Sequence, residues 1–478
     1  MKFIKNPDVD TSKLMYVNSI YHKPCAATDY EDYLDIIYKD LETGQKYVET
    51  KKNPEIIAYL VKPEYRDYNY NKEYMEINKC DQYKVPIKDV NFWIAKQMGP
   101  QAVATVRNMI ASGNRAAIQN LQKYRYVFGT DTDIRSFYMT HWLLEYENDL
   151  HKELAYGAAD IETDAIKHPT FASNGEVPIL CATFVSEIDR QVHTFVYRAK
   201  DNLEQIARVE DHADEFVEEC HRCFDESYGS DFEYNLYFFD KELDMIKAYY
   251  QVINDSNIDI LYYWNGNSFD NPYIKARIEI LGGDPAEIVS HPDFKVKEFK
   301  ITKDTKNFQV VNKRDWVSTS TYYQTVDHML SYTQLRKGSV TLRTNKLNDI
   351  AKQEIGDTKL DYSETGNIRT LPYLDFWTYL IYNIKDVLLE IGIERKTTDL
   401  QAYYIRSYSS SCPYEFIFAQ TKFLQSRMYY EYQLENIVPW NNINIDYGAP
   451  PEQKEGRGKD IGFSGAFNNK TPYMVTCM

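Results

Sequence analysis

The 478-residue chain has little cysteine, no long apolar run and a shortage of positive charge. Each absence excludes something. Seven cysteines over this length make no disulfide framework. No run reaches the roughly eighteen apolar residues of a membrane-spanning helix, and the N-terminus lacks the apolar stretch of a signal peptide. Together these predict a reducing, cytoplasmic setting with no membrane partner. Lysine and arginine number 55 against 71 acidic residues, a formal net charge of −16. That excludes a protein coated in positive charge, but not one with a local basic track that meets phosphates. What is there is ordinary for a folded protein: 43% apolar and 26% charged residues. Tyrosine is abundant, at 42, and Asn, Ile and Lys are frequent too. AT-rich codons account for part of that excess.

The length predicts two to four domains. Residues 1 to about 125 read as mixed α/β, with strands at 15–21 and 33–40, a turn at 41–45, a returning strand at 46–50 and a helical pattern over 103–124. A long polar helix is expected at 134–153, then strands at 154–161, 178–186 and 192–197. A helix at 240–254, a strand at 258–264 and a helix at 271–281, stopped by Gly282 and Gly283, follow. This alternation predicts an α/β domain with a mixed sheet. Residues 295–314 hold seven positive and two negative side chains. They read as a basic β-hairpin, with 294–301 alternating, 303–307 turning and 308–311 returning. Helices dominate 347–428, and the last fifty residues, rich in proline and glycine, look loop-like.

Three acidic motifs stand out. Asp160-Ile161-Glu162-Thr163 ends an apolar strand, so the two acids share a face. Two neighbouring carboxylates repel unless one is protonated or a divalent cation joins them. Asp270 lies in Trp264-Asn265-Gly266-Asn267-Ser268-Phe269-Asp270, where a strand ends and a helix begins. Tyr382 and Asp386 lie one helical turn apart in Tyr382-Asn383-Ile384-Lys385-Asp386. Each motif has a plainer reading: solvated acids on an edge strand, an aspartate N-cap, and a surface acid beside a half-buried tyrosine.

Taken together, in this order and about 110 residues apart each time, they resemble the Exo I, Exo II and Exo III motifs of the DEDDy 3′–5′ exonucleases. The flanks are similar to the proofreading domain of family B DNA polymerases of T4-like phages. So are Lys346-Leu347-Asn348-Asp349-Ile350-Ala351 and Gly356-Asp357-Thr358-Lys359-Leu360-Asp361-Tyr362. The resemblance implies a ribonuclease H-like exonuclease domain over 126–398. An α+β N-terminal domain over 1–125 would precede it, and the beginning of a palm over 399–478 would follow. It implies two divalent ions, Mg²⁺ or Mn²⁺, held by Asp160, Glu162, Asp270 and Asp386, with Tyr382 orienting the attacking water. Nucleoside monophosphates would leave a DNA 3′ end. DNA, as a single-stranded 3′ end or a primer-template, would meet Lys295, Lys297, Lys300, Lys303 and Lys306 of the hairpin, with Asn265 and Phe269 nearer the site. The hairpin is otherwise a lysine-blunted edge, and Phe269 is equally a core residue. Cys220-His221-Arg222-Cys223 is a lone pair without the second pair that a zinc site needs.

The palm motifs of a full family B polymerase are not in place. Gly129-Thr130-Asp131-Thr132-Asp133 precedes the exonuclease strand and reads as a helix start capped by Asp131 or Asp133. Gly462-Phe463-Ser464-Gly465-Ala466-Phe467 resembles the segment leading into the first palm strand, and 473–478 the start of that strand. The expectation is therefore the N-terminal part of a split polymerase, an intein or intron half, or a truncated gene. In the split form it would be completed by a C-terminal half on a separate chain and served by a sliding clamp. Three functions remain open: a proofreading exonuclease, a subunit that mainly completes a polymerase, and a free-standing RNA-processing exonuclease. The long N-terminal region and the palm-like tail argue against the last.

Overall fold

The computed structural model describes residues 11–23, 31–66, 74–112, 124–146, 154–166, 175–337, 344–361 and 367–441. The palm-like segments after residue 441 lie outside them. β1 (Leu14–His22), β2 (Tyr33–Asp40) and β3 (Lys46–Lys52) form an antiparallel sheet in that order. The β2–β3 hairpin matches the expected one. Next come β4 (Glu55–Val61), β5 (Tyr74–Glu76), β6 (Cys80–Pro86) and β7 (Val127–Phe128). β4 runs between β6 and β7 in a second three-stranded sheet.

The acids are carried by a larger sheet. β8 (Tyr156–Thr163), β9 (Ile179–Ser186), β10 (Gln191–Tyr197), β11 (Glu233–Phe239) and β12 (Ile260–Tyr263) belong to it. A hairpin of β13 (Phe299–Thr302) and β14 (Trp316–Thr319) intervenes before β15 (Gln324–Asp327) completes it. The order is β11-β10-β9-β8-β12-β15. β9 is antiparallel to both neighbours, and the other pairs are parallel, so the sheet is mixed as expected. A final short strand, β16 (Ile437–Pro439), pairs with β5.

Alternation along β8 sets the two faces. Ala158 packs into one core with Ile384, Val387 and Leu388 of the helix Phe376–Thr397. Ala159 and Ile161 pack into the other, with Met245, Ile246 and Tyr249 of the helix Glu242–Asp255. The sequence reading missed β11 and the helices Leu203–Asp211 and Ala213–Tyr228 before it. The second of these buries Phe216, Cys220, Phe224 and Tyr228, one residue in four. That stripe was legible, and it makes Cys220 a core residue. Among the described residues no helix is long and apolar enough to cross a membrane.

Two helices differ from expectation. The one starting at Ile134 stops at Glu145, and it is far from polar: Phe137, Tyr138, Met139 and Trp142 are buried. The charges that gave the polar reading come mostly after its end, in 147–153, outside the described residues. Asp133 caps it, accepting the Arg135 N–H at 3.0 Å. The helix expected over 103–124 is Pro100–Ser112. Tyr124 is not helical, and 113–123 lie outside the described residues.

β12 is tied to the N-terminal sheet by charge. Asp259 is 1% exposed and accepts the Ala155 N–H at 2.9 Å. Lys39 of β2 stands 2.6 Å from one of its oxygens and Lys46 of β3 2.9 Å from the other. The two ammonium groups hold the Asp259 carboxyl below its ordinary range despite burial that pushes it up. Removing one member of a buried ion group strands the others. Asp259→Ala should therefore cost about 3 kcal/mol or more in a urea titration. An unchanged midpoint would show that the two lysines find water instead.

Candidate active site

The four acids arrive on three elements. Asp160 and Glu162 point from the same face of β8, and a register shift follows between Glu162 and Thr163. Such a bulge re-aims side chains at a strand end. β12 stops at Tyr263, and residues 264–269 turn into the helix Asp270–Ile280. Asn265 takes the left-handed conformation (φ 69°), which asparagine tolerates. Its carbonyl accepts the N–H groups of Ser268 and Phe269 at 3.0 and 3.1 Å. Gly266 is required here, since a Cβ would stand 2.3 Å from Cβ of Tyr263. Asp270 is the first residue of its helix, and Phe269 holds the cap position without a side-chain cap bond. The Asp270 carboxylate instead accepts the Ile161 N–H of β8, which carries one motif to the other. Tyr382 and Asp386 share a face of the helix Phe376–Thr397, whose N-terminus is fixed by Asp375 accepting from the N–H (3.1 Å) and hydroxyl (2.6 Å) of Thr378.

Carboxylate oxygens of Asp160, Glu162 and Asp386 all lie within 4.8 Å of one another. Asp270 is not in that trio, but its charge acts on Asp160. Enclosure, then the neighbouring acids, lift Asp160 well above the carboxylate range and Glu162 to about 8. Enclosure lifts Asp270 to about 7, against the N–H groups of its own residue and Ile161. Asp386 is also raised by burial, although Lys359 opposes the rise. The Lys359 ammonium pairs with Oδ2 of Asp386 and donates to the Tyr382 hydroxyl at 2.9 Å. Oδ1 of Asp270 and Oδ1 of Asp386 are buried without a hydrogen-bond partner. Crowded carboxylates with spare lone pairs are the donor set of a hard divalent cation.

Three residues of this site escaped the sequence reading. The Asn383 amide donates to Oδ2 of Asp160 at 2.8 Å. Glu390 is 1% exposed, and enclosure first, then Asp160 and Asp270, raise its carboxyl well above the usual range. Asn383, Asp386 and Glu390 are spaced i, i+3 and i+7, so their common face was legible. Lys359 comes from a separate loop, and no periodicity announces it.

The expected DNA-contacting residues are more scattered. Phe269 is half-buried and stacked on Tyr273, with ring centroids 5.6 Å apart. Asn265 serves the turn. The basic hairpin exists, but its return strand is 316–319 and not 308–311. Val317 and Thr319 alternate into the interior, while Phe308 is 91% exposed and Val310–Asn312 forms a single helical turn. Lys295, Lys300 and Lys306 are exposed. Lys297 donates to the His291 carbonyl at 2.6 Å, and Lys303 donates to the Asn267 carbonyl. Cys220 and Cys223 are free thiols, one buried and one exposed. Among the described residues the one group of metal-type ligands is the carboxylate trio.

Residues 124–328 match the family described as DNA polymerase family B, exonuclease domain. Over 215 residues, 44% of this chain, it is 24% identical to the DNA-directed DNA polymerase of Enterobacteria phage T4. It is 26% identical over 160 residues, 33% of the chain, to a DNA polymerase of Orgyia pseudotsugata multicapsid polyhedrosis virus. A DNA polymerase of Choristoneura fumiferana nuclear polyhedrosis virus is 25% identical over 178 residues, 37% of the chain. The matched stretches span 22%, 15% and 17% of those three relatives, respectively. The strand of Asp160 and Glu162, the turn of Asp270 and the mixed sheet that holds them all fall within 124–328, the part of the chain that matches the family B DNA polymerase exonuclease domain.

Proposed function

We propose that the chain is the N-terminal and proofreading part of a family B DNA polymerase, a 3′–5′ exonuclease that removes nucleoside monophosphates from DNA 3′ ends. The observation that carries this reading is the carboxylate trio of Asp160, Glu162 and Asp386, with Asp270 acting on it and Tyr382 beside it. Asp160, Glu162, Asp270 and Asp386 would hold two divalent ions, Mg²⁺ or Mn²⁺, which supply an activated water and a Lewis acid for the departing 3′ oxygen. The chain's own residues do the rest. Burial keeps the Tyr382 hydroxyl protonated, so it can donate to or orient a water beside Asp386. Lys359, beside Tyr382 and Asp386, would offer a positive charge to a phosphate that gathers negative charge in the transition state. Asn383 fixes the rotamer of Asp160.

The proposed layout keeps the boundaries 1–125, 126–398 and 399–478. The exposed Lys295, Lys300 and Lys306 would meet phosphates of a single-stranded end or a primer-template without sequence choice. In this reading polymerisation would be supplied by a further segment or by a C-terminal half on a separate chain, with a sliding clamp as a further partner. In a second reading the chain mainly completes such a polymerase.

Purified chain and Mg²⁺ should convert 5′-labelled single-stranded DNA into a ladder shortened from the 3′ end. Asp270→Ala should lower that rate by about 10³-fold, as loss of a group that organises transition-state charge does. No ladder from folded protein would remove the self-sufficient nuclease and leave the assembly reading. Lys359→Met should lower kcat by about 10²-fold, and an unchanged kcat would take the lysine out of the reaction.

The raised carboxyls also give a pH dependence. Glu162 and Asp270 bind protons more tightly in the folded chain than in the unfolded one, where about 4 is usual. Their contribution to stability is present at low pH and is lost as pH rises toward about 8. Glu162→Gln does not ionise. In EDTA its melting temperature should gain on that of wild type as pH rises from about 5 to about 8.5. Parallel curves would show that Glu162 is ordinarily ionised.

A further inference from the structure

Asp270 is aimed by the turn just before it, and that turn is gripped from outside the sheet. Asp315, at the foot of β14, has a fully enclosed side chain. Its backbone carbonyl accepts the Asn267 amide at 2.9 Å. Oδ1 accepts the Asp304 N–H at 2.7 Å. Oδ2 stands 2.9 Å from the Lys313 ammonium and accepts the Ser268 hydroxyl at 3.4 Å. Lys313 also donates to that hydroxyl at 3.1 Å, and Lys303 donates to the Asn267 carbonyl. From the other side, Asp327 at the end of β15 accepts the Asn267 N–H at 3.1 Å. Residues 267 and 268 are thus held between the sheet and the root of the hairpin loop, three and two positions ahead of Asp270.

A buried carboxylate is costly unless charge and hydrogen bonds satisfy it. Asp315 is satisfied by two lysines that both reach the turn and both retain solvent access, 41% and 26%. A phosphate that drew either lysine outward would loosen the grip on the turn. A neutral residue of the same shape would keep the packing and lose the ion pairs. The arrangement therefore joins the loop proposed to meet DNA to the turn that precedes Asp270.

We infer that Asp315 is a positioning residue for phosphodiester cleavage: it fixes residues 265–269, and so the direction of the Asp270 carboxylate, and its lysine partners let a phosphate at the hairpin loop alter that direction. This role rests on the nuclease reading.

The test uses the full chain, with Asp315→Asn and Ser268→Ala. Mn²⁺ binding is followed by electron paramagnetic resonance without DNA, and cleavage is followed on a short single strand. Asp315→Asn should weaken Mn²⁺ binding about 10-fold and lower kcat about 10-fold, with KM within about twofold, as loss of an outer-shell support does. Ser268→Ala, which removes only the bridging hydroxyl, should shift both by about threefold in the same direction. It carries the test should the buried asparagine variant not fold. A purely structural role would lower the melting temperature and leave the Mn²⁺ affinity of the folded protein alone. Wild-type kcat and Mn²⁺ affinity in a folded variant, or a change in KM only, would overturn the assignment. A wild-type chain that neither cleaves nor binds Mn²⁺ would instead sink the nuclease reading, and this role with it.

Discussion

Mutual repulsion among enclosed carboxylates is the constraint around which this molecule is arranged. Two unit charges 4 Å apart at an effective dielectric of 20 interact by about 4 kcal/mol. Three acids whose oxygens lie within 4.8 Å of one another therefore repel by more than one ion pair offsets. Lys359 compensates one of them, and protonation or a divalent cation must do the rest. A fold that gathers such groups has to hold them against that repulsion without using up their lone pairs.

It does so by spreading the task over stiff elements. β8 is clamped between two cores, one on each face, so Asp160 and Glu162 stand on a strand that cannot roll. The Ile161 N–H, beyond the point where β12 stops pairing with β8, reaches across to Asp270. The helix Phe376–Thr397 is buried nearly all round and supplies Tyr382, Asn383 and Asp386 together. Even the start of β12 is anchored, through Asp259, to the lysines of the N-terminal sheet. Loops contribute Lys359 and the braced turn of residues 265–269.

Much of this was legible before any coordinates. Period-two alternation put Asp160 and Glu162 on one face, and a four-residue spacing put Tyr382 with Asp386. Short-range pattern suffices for such pairs because strand and helix geometry are fixed. The reading failed where the deciding partner is distant in sequence. Nothing near Lys359 announces Asp386, and nothing near Asp315 announces Ser268. The hairpin was found from its charge, but its return strand was misplaced. Apolar character at 308–311 looked like burial, whereas Val317 and Thr319 alternate into the interior. The helix from Ile134 was called polar on charges that lie mostly beyond its end. Its cap, by contrast, was local and readable.

The helix Phe376–Thr397 also constrains how this lineage can change in length. It turns Tyr382, Asn383, Asp386 and Glu390 toward the acids, while Lys385 turns away to pair with Asp357. One residue gained or lost between Tyr382 and Asp386 would rotate everything downstream by about 100°. Asp386 would swing out of the cluster, and a lysine or an aliphatic residue would swing in. Substitution can explore this helix one side chain at a time, but insertion and deletion cannot. Between β13 and β14 only the tip around the exposed Phe308 offers room for indels, because Lys303, Asp304 and Lys313 at the ends of that loop are bonded to the turn before Asp270 or to Asp315.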